Sequence, residues 1–259
     1  MTRESPATLL ELAVTVAWRA GRVTLAHFQT GVTAELKADQ SFVTIADRES
    51  EHVARELIEA RFPNDGILGE EFGETRSSAR RRWVLDPIDG TNSFVRGVPL
   101  YGVLVGVEEE GAAIAGVLHF PALGETVCAA LGEGCWWNGR RALVSDCNKL
   151  DAAVALTSDA ENIERHGRGE GWNRLRSRAR FTRTWGDCYG YALVATGRAE
   201  IMVDPIVSAW DTAAVRPVIQ EAGGVFTDWN GAASHTSGHA IATNAALASE
   251  VRALLGGEL

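Results

Sequence analysis

The sequence lacks the features that mark secreted, membrane-spanning or zinc-binding proteins. Its four cysteines, Cys128, Cys135, Cys147 and Cys188, show no CxxC or Cys/His ligand spacing. Nothing marks a secretory chain, so we expect reduced thiols rather than disulfides. No apolar stretch is long enough to cross a bilayer. We therefore expect a cytoplasmic protein that does not associate with membranes.

A surplus of positive charge is also missing. The chain has 34 Asp and Glu residues against 25 Lys and Arg residues, which gives a formal net charge of −9. This balance argues against a groove for nucleic acid, because such grooves collect Lys and Arg. We expect no nucleic-acid partner.

No internal repeat, low-complexity tract or obvious linker divides the chain. Its 259 residues are 46% hydrophobic and can bury a large core, and α/β folds of this length often remain one domain. Strand patterns, such as residues 153–158, alternate with helical patterns, such as residues 192–197. The polar residues 74–82 are predicted as a surface loop. The sequence therefore predicts a single α/β domain over residues 1–259.

The most specific motif is the sequence WVLDPIDGTN at residues 83–92. Residues 83–85 predict a buried strand, and residues 90–92 predict the start of a helix. Asp86 and Asp89 can converge on divalent cations at the strand end, and the free N–H groups of the next helical turn can hold an anion. One such Asp would fit an ordinary turn, but two acids with a Gly and a Thr are a more specific signal. A metal ion and a phosphate are predicted to meet here.

Two further acids have a similar setting. Glu70 follows the apolar residues 67–69, and Asp211 stands at the start of an apparent helix. Carboxylates are hard oxygen ligands suited to Mg²⁺. Without cations, the repulsion within a cluster of such acids would be severe, so we expect raised carboxylate pKa values. An acidic protein that binds a phosphate ester also needs cations in between.

With these motifs, the sequence resembles the inositol monophosphatase family of metal-dependent phosphatases. The matching pieces are Gly69-Glu70-Glu71, DPIDGT at residues 86–91, Trp210-Asp211 and EAGG at residues 221–224. They stand in family order, and the resemblance runs from about residue 13 to residue 254. It implies a layered α/β/α/β/α sandwich of the inositol monophosphatase and fructose-1,6-bisphosphatase type. It also implies a homodimer.

The resemblance implies Mg²⁺ as the cofactor. One ion would be held by Glu70, Asp86 and the backbone carbonyl of Ile88. A second ion would be held by Asp86, Asp89 and Asp211. A third, weaker ion beside Glu70, with mostly water ligands, is compatible with the family.

The implied catalytic residues are Thr91, Asp47 and Glu70. A metal-activated water, oriented by Thr91 with Asp47 behind it, would attack phosphorus in line, while the N–H groups of Gly90 and Thr91 grip the phosphate. On the sequence alone, Asp47 could equally be a helix N-cap, and both roles stay open.

In the family, the second half of the chain contacts the alcohol part of the substrate. Here that part corresponds to residues 183–191 and Asp204, and the run RTWGDCYGY resembles the subgroup that hydrolyses L-histidinol phosphate. Asp187 and Asp204 could complement the positive charge of histidinol, and Trp185 or Tyr189 could offer a flat apolar contact. The residues assigned to substrate binding are Gly90, Thr91, Arg183, Trp185, Asp187 and Asp204.

A structural interpretation of the same run remains open. Trp185, Tyr189 and Tyr191 could be core aromatics at a helix start, and Asp187 could cap the helix that follows. Asp187 could also do both.

Other functions also remain open. The chain could be an inositol-1-phosphate phosphatase or a broad sugar-phosphate phosphatase. A nucleotide 3′-phosphate phosphatase is a further alternative, against which stands the absence of a long basic insertion to hold a nucleotide. From a different class, it could be a non-catalytic partner of the transcription machinery. The full set of acids weighs against a purely structural role, because clustered like charges are costly without metals.

Overall fold

The computed structural model describes residues 4–37 and 41–256 of the chain. Its helices are α1 (Pro6–His27), α2 (Ile45–Arg61), α3 (Thr91–Val95), α4 (Ala160–Arg165), α5 (Gly169–Arg178), α6 (Cys188–Ala195), α7 (Ala209–Thr212), α8 (Val215–Glu221) and α9 (Ala248–Gly256). Its first strands are β1 (Ala34–Leu36), β2 (Phe42–Thr44), β3 (Gly66–Gly69), β4 (Gly73–Thr75), β5 (Arg81–Asp89), β6 (Gly102–Glu109), β7 (Ala112–Phe120) and β8 (Glu125–Ala130). The later strands are β9 (Gly134–Trp137), β10 (Arg140–Arg141), β11 (Val154–Leu156), β12 (Phe181–Arg183), β13 (Ile201–Asp204), β14 (Val225–Thr227) and β15 (Ala240–Thr243).

Two mixed sheets organise these elements. The larger sheet has the strand order β10-β9-β8-β7-β6-β5-β3-β4, and the smaller sheet has the order β12-β11-β13-β15-β14. In the larger sheet β3 and β5 are parallel and the remaining pairs are antiparallel. In the smaller sheet β11 is parallel to both of its neighbours. A two-stranded pair, β1 with β2, precedes α2.

Helices cover both outer faces and fill the space between the sheets. Helices α1 and α2 pack on the outer face of the larger sheet, with Val16 and Ile58 buried against Val105. Helices α6, α7 and α8 lie between the two sheets. Helices α4, α5 and α9 cover the outer face of the smaller sheet, where Trp172 packs with Val251. The predicted α/β/α/β/α sandwich is confirmed.

A pair of glycines allows the middle helices to approach the larger sheet closely. Gly106 of β6 and Gly116 of β7 are paired across the strands and face the backbone at Ala213 and Ala214. A Cβ atom on Gly116 would lie 2.0 Å from the carbonyl oxygen of Ala214, which is shorter than any van der Waals contact. This contact sets the distance between the sheet and α7.

The prediction of a surface loop over residues 74–82 is wrong at both ends of that segment. Its first residues belong to β4, which pairs with β3, and Arg81 already begins β5. The arginines that suggested a loop are held in ion pairs, since Arg81 contacts Asp65 at 2.6 Å and Arg82 contacts Glu108 at 2.8 Å. Throughout residues 4–37 and 41–256, the helices are too short or too polar to span a bilayer.

Candidate active site

Three acids converge where β5 ends. Asp86 and Asp89 lie on β5 and Asp211 lies on α7, and one carboxylate oxygen from each is within 4.8 Å of the others. Residues three apart on a regular strand point to opposite faces. The pairing of β5 with β6 is irregular between Asp86 and Asp89, around Pro87, which has no N–H group to donate. We infer that this irregularity turns both acids to one side.

Asp211 is fixed by the start of its own helix. Its Oδ2 atom accepts a hydrogen bond from the backbone N–H of Ser208 at 2.7 Å and completes a capping box with that residue. Helix α7 contacts β5 and β6, next to the close approach at Gly106. The helix cap and the two glycines together place Asp211 opposite the β5 acids.

The electrostatics of the cluster favour a divalent cation. Burial, together with the neighbouring carboxylates, raises the pKa values of Asp86 and Asp89 well above their ordinary range. Burial also raises the pKa of Asp211 to about 6. Three oxygen donors that are costly to ionise side by side suit a hard cation such as Mg²⁺, which would stabilise their charged form. The donor set therefore fits the metal that the sequence predicts, and the predicted raised pKa values are confirmed.

Glu70 is paired with a lysine. The Lys37 ammonium contacts Glu70 Oε1 at 2.7 Å and Glu71 Oε1 at 2.6 Å. Burial raises the pKa of Glu70 to about 7, although Lys37 acts in the opposite direction. The negative charge of Asp211 also contributes to this rise. Glu70 therefore lies within electrostatic reach of Asp86 and Asp211, with its charge balanced by Lys37.

Thr91 and Asp47 contact each other, as the family resemblance implies. The Thr91 hydroxyl lies 3.4 Å from Asp47 Oδ1 and 3.0 Å from the backbone carbonyl of Ile88. The other oxygen of Asp47 accepts from the N–H and the hydroxyl of Thr44, which is the N-cap of α2. Asp47 is thus the third residue of the helix rather than its N-cap, and it closes a capping box while contacting Thr91. Burial raises its pKa to about 6.

Gly90 connects the central motif to the second half of the chain. It is the N-cap of the five-residue helix α3, and its φ of +86° is in the left-handed region that favours glycine. A Cβ atom at this position would lie 2.9 Å from Asp187 Oδ2. The glycine therefore permits the carboxylate of Asp187 to approach the motif.

A small cavity of about 140 Å³ opens beside the acids. We call it the acidic cavity; its lining residues are Asp89, Ser158, Asn162, Asp187, Cys188, Tyr191, Asp204, Ile206, Val207 and Asp211. Among these described lining residues, four are acids and none is Lys, Arg or His. The cavity is suited to a small group that carries positive charge.

Asp204 forms the buried floor of the acidic cavity. Its Oδ1 atom accepts from the N–H of Ser158 at 3.0 Å, and its Oδ2 atom accepts from the Tyr191 hydroxyl at 2.8 Å. Burial raises its pKa. The hydroxyl oxygen of Ser158 in turn accepts the N–H of Asp187 at 3.0 Å. This chain of hydrogen bonds fixes the relative positions of the two acids.

Asp187 occupies the N-cap position of α6, but its side chain makes no capping hydrogen bond. The N–H of Cys188 instead donates to Asp89 Oδ2, so a metal-cluster acid caps this helix from the other half of the chain. Asp187 has φ 47° and ψ −151°, a conformation that side chains rarely adopt. Burial, and then the charges of Asp204 and Asp211, raise its pKa to about 7.

Some predicted substrate residues do not line the acidic cavity. The Arg183 guanidinium lies 4.8 Å from the Phe181 ring centroid and donates to a neighbouring backbone carbonyl. Trp185 is 42% exposed and is absent from the cavity wall. Tyr189 contacts Glu125 and Arg198, away from the cavity lining, so a flat contact there from Tyr189 is not supported. Substrate binding by Arg183 and Trp185 stays a prediction.

Sequence reasoning missed several lining residues. Ser158 follows β11, Asn162 lies in α4, and Ile206 and Val207 follow β13. No spacing or residue type in these segments distinguishes them from ordinary loop residues. A possible signal was their place after two strands of one sheet, because loops at strand ends often form binding sites.

The fold and the acid cluster define a class of metal-binding hydrolases, and comparisons identify the family. Residues 5–256 match the profile of the inositol monophosphatase family. The chain belongs to this family and is a phosphatase.

Individual relatives differ in what their names state. A histidinol-phosphatase from Chlorobaculum parvum is 43% identical over 95% of this chain and 96% of its own length. The extragenic suppressor protein SuhB from Bartonella henselae has a TM-score of 0.90 at 26% identity, over 97% of this chain and 100% of that one. An inositol monophosphatase from Zymomonas mobilis has a TM-score of 0.88 at 32% identity, over 98% and 99% of the two chains.

Proposed function

We propose that this protein hydrolyses L-histidinol phosphate to L-histidinol and phosphate, with Mg²⁺ as cofactor, in histidine biosynthesis. The observation that carries the proposal is the acidic cavity, which adjoins the acid cluster and has no cationic side chain among its described lining residues. The 43% identity to a histidinol-phosphatase over nearly the whole chain supports the same substrate.

The acid cluster with its metal and the adjoining acidic cavity fit the two ends of this substrate. The phosphate is negative and would lie at the acid cluster with Mg²⁺ between them. The alcohol part carries an ammonium group, and Asp187 and Asp204 stand on the wall of the adjoining cavity. A cation beside Asp187 would favour its ionised form and offset the burial that raises its pKa. A neutral substrate would supply no such compensation.

The metal ions would be held by the residues that the resemblance implies. These are Asp86, Asp89 and Asp211, together with Glu70 and the carbonyl of Ile88, for two ions, with a third beside Glu70. Bound Mg²⁺ supplies charge neutralisation of the phosphoryl oxygens and a lowered pKa for the attacking water.

The protein's own groups would orient the water and the phosphate. Asp47 Oδ1 and the Ile88 carbonyl both accept from the Thr91 hydroxyl, so a lone pair of Thr91 Oγ1 is free to accept a hydrogen bond from the attacking water. The N–H groups of Gly90 and Thr91, at the start of α3, would donate to a phosphate oxygen. Catalysis then requires no cysteine or serine nucleophile.

We also propose a single domain, a cytoplasmic location, a homodimer and no nucleic-acid partner. The net charge of −9 supports the last of these. The homodimer follows from the resemblance alone.

A second candidate is an inositol-1-phosphate or broad sugar-phosphate phosphatase. The similarity to the Zymomonas mobilis inositol monophosphatase favours it, because the two chains share their fold over nearly their full length at 32% identity. The acids of the cavity could also accept hydrogen bonds from sugar hydroxyls. A non-catalytic partner of the transcription machinery remains a weaker alternative, since it gives no reason to keep the costly acid cluster.

The deciding experiment compares phosphate release from L-histidinol phosphate and from myo-inositol 1-phosphate in parallel Mg²⁺ titrations. We expect a preference for histidinol phosphate of roughly a hundredfold in kcat/KM, about 3 kcal/mol of transition-state discrimination. Similar or reversed values would keep the phosphatase activity and move the protein to the second candidate.

The Asp89→Asn variant serves as the blank in that experiment. It should lose turnover because it removes a metal-binding charge, while the fold persists because an Asn oxygen can still accept the Cys188 N–H. Asp151→Asn, at an exposed acid outside the acidic cavity, is the matched control and should keep full activity. Near-normal turnover in Asp89→Asn would remove Asp89 from the proposed metal site.

A further inference from the structure

The wall of the acidic cavity contains polar groups that are already engaged and others that are free. The Tyr191 hydroxyl donates a hydrogen bond to Asp204, and the Ser158 hydroxyl oxygen accepts a hydrogen bond from the N–H of Asp187. Under the proposed function, the acid cluster binds the metal that faces the phosphate, and Asp187 and Asp204 face the ammonium group. The neutral end of the substrate must then be recognised by the remaining side chains.

Asn162 is a free polar group on this wall. It lies in α4, four residues after Ser158, and Asp159 caps that helix by accepting the N–H of Glu161 at 2.8 Å. Its Oδ1 atom has a long contact of 3.4 Å with Arg165 Nη1. Within residues 4–37 and 41–256, the structure gives its Nδ2 group no hydrogen-bond partner. A donor and an acceptor therefore stand in one plane on the cavity wall.

Ile206 supplies apolar surface on the same wall. It follows β13, two residues after Asp204, and 54% of it is exposed although it lines the cavity. A flat ring that covers this side chain would remove apolar surface from water, which is favourable. Asn162 and Ile206 thus offer an in-plane hydrogen-bonding group and an apolar contact, the two features that a neutral heteroaromatic ring can use.

We infer that Asn162 and Ile206 form the subsite for the imidazole ring of the substrate. The inference rests on the proposed function and assigns the ring to two residues that neither bind the metal nor contact the phosphate. A neutral imidazole has one ring N–H and one acceptor nitrogen. Either can pair with the amide of Asn162, while a ring face covers Ile206.

The test compares L-histidinol phosphate with 2-aminopropyl phosphate, which keeps the phosphate and the ammonium group and lacks the ring. At pH 8, where an imidazole of ordinary pKa is neutral, Asn162→Ala should lower kcat/KM for histidinol phosphate about tenfold, mainly through KM. It should change kcat/KM for 2-aminopropyl phosphate by less than about twofold. Ile206→Ala should lower the value for histidinol phosphate by about threefold.

Asn173→Ala is the matched control, because Asn173 lies on α5, contacts Glu164 and does not line the cavity. It should leave both substrates unchanged. Equal losses on both substrates in Asn162→Ala, or no loss on either, would overturn the ring subsite. If the wild type prefers histidinol phosphate over 2-aminopropyl phosphate and the Asn162→Ala variant keeps that preference, only the ring subsite is overturned. A wild-type enzyme with no preference for the ring overturns the proposed function as well.

Discussion

Asp187 combines a strained backbone with a functional position. Its φ of 47° and ψ of −151° suit glycine, and two hydrogen bonds hold the segment in place, one from its own N–H to Ser158 and one from the next N–H to Asp89. Strain of this kind persists where the surrounding structure fixes it, and it occurs often at binding sites. The Asp187 carboxylate lies close to Gly90, where the central motif borders the acidic cavity.

Replacing this residue should therefore separate stability from recognition. Asp187→Gly should be more stable than Asp187→Ala by about 1 kcal/mol, because only glycine adopts this conformation without strain. Urea denaturation of the two metal-free variants gives this difference, and both variants lack the same carboxylate. Equal stability would show that the backbone here is not strained.

Asp187→Gly and Asp187→Ala should weaken binding of the cationic substrate to the same extent. Each should raise KM for L-histidinol phosphate much more than for an uncharged polyol phosphate, since the lost carboxylate is the one proposed to contact the ammonium group. If the two variants lost recognition unequally, the backbone rather than the charge of Asp187 would be responsible.

At this scale, the sequence predicts residues of unusual chemistry and misses ordinary ones. Asp86 and Asp89 could be found because two acids three residues apart precede a Gly-Thr helix start, and Asp211 because Trp210-Asp211 resembles a motif of the family. Asn162 and Ile206 could not, because their proposed role depends on how α4 and the segment after β13 come together in the folded chain. The φ of Asp187 was also beyond prediction, since it is imposed by hydrogen bonds to distant residues.

At the scale of elements, α7 depends on the glycine pair of the larger sheet. Gly106 and Gly116 leave no side chain between the sheet and the backbone at Ala213 and Ala214. That close approach positions Asp211 over β5. The sequence predicts the strands and the helix separately, but their contact distance is a property of packing.

Gly116→Ala should disturb this packing and the metal site together. Because the new methyl group would meet the Ala214 carbonyl, we expect a loss of about 2 kcal/mol or more in the free energy of unfolding. The Mg²⁺ concentration for half-maximal activity should rise, since Asp211 moves with α7. Gly256→Ala is the control: nothing lies near a Cβ there, so stability should stay unchanged or rise slightly. A stable Gly116→Ala variant with normal Mg²⁺ dependence would show that α7 is positioned by other contacts.

At the scale of the whole molecule, buried acids dominate the response to pH. Burial raises the pKa values of Asp47 and Asp211 to about 6 and those of Glu70 and Asp187 to about 7, above their ordinary values of 3.8 and 4.5. The folded protein therefore binds protons more tightly than the unfolded chain at these groups. His119 acts in the opposite direction, because burial lowers its pKa to about 4.

Metal-free protein should therefore become less stable as the pH rises from about 4 to about 7. Protons stabilise the folded state below this range, and their loss leaves several acids charged and close together. Mg²⁺ should restore stability at the upper end, by about 2.7 kcal/mol at a concentration one hundred times its Kd. Thermal unfolding with EDTA and with Mg²⁺, at pH 5 and pH 8, measures both effects.

Asp89→Asn tests whether the cluster causes this behaviour. The variant should show a smaller Mg²⁺ shift at pH 8 than the wild type. An identical shift, or metal-free protein whose stability rises steadily over this pH range, would contradict the account.

The hydrogen bond from Cys188 to Asp89 also bears on the order of folding. It joins residues 99 positions apart, and it caps a helix between the sheets with an acid from the end of β5 in the larger sheet. Helix α6 therefore lacks this partner until both sheets have met, which places completion of the cap and of the acidic cavity late in folding. A metal ion that binds this finished arrangement adds its stabilisation after the folding barrier has been crossed, so it slows unfolding and leaves the rate of folding nearly unchanged.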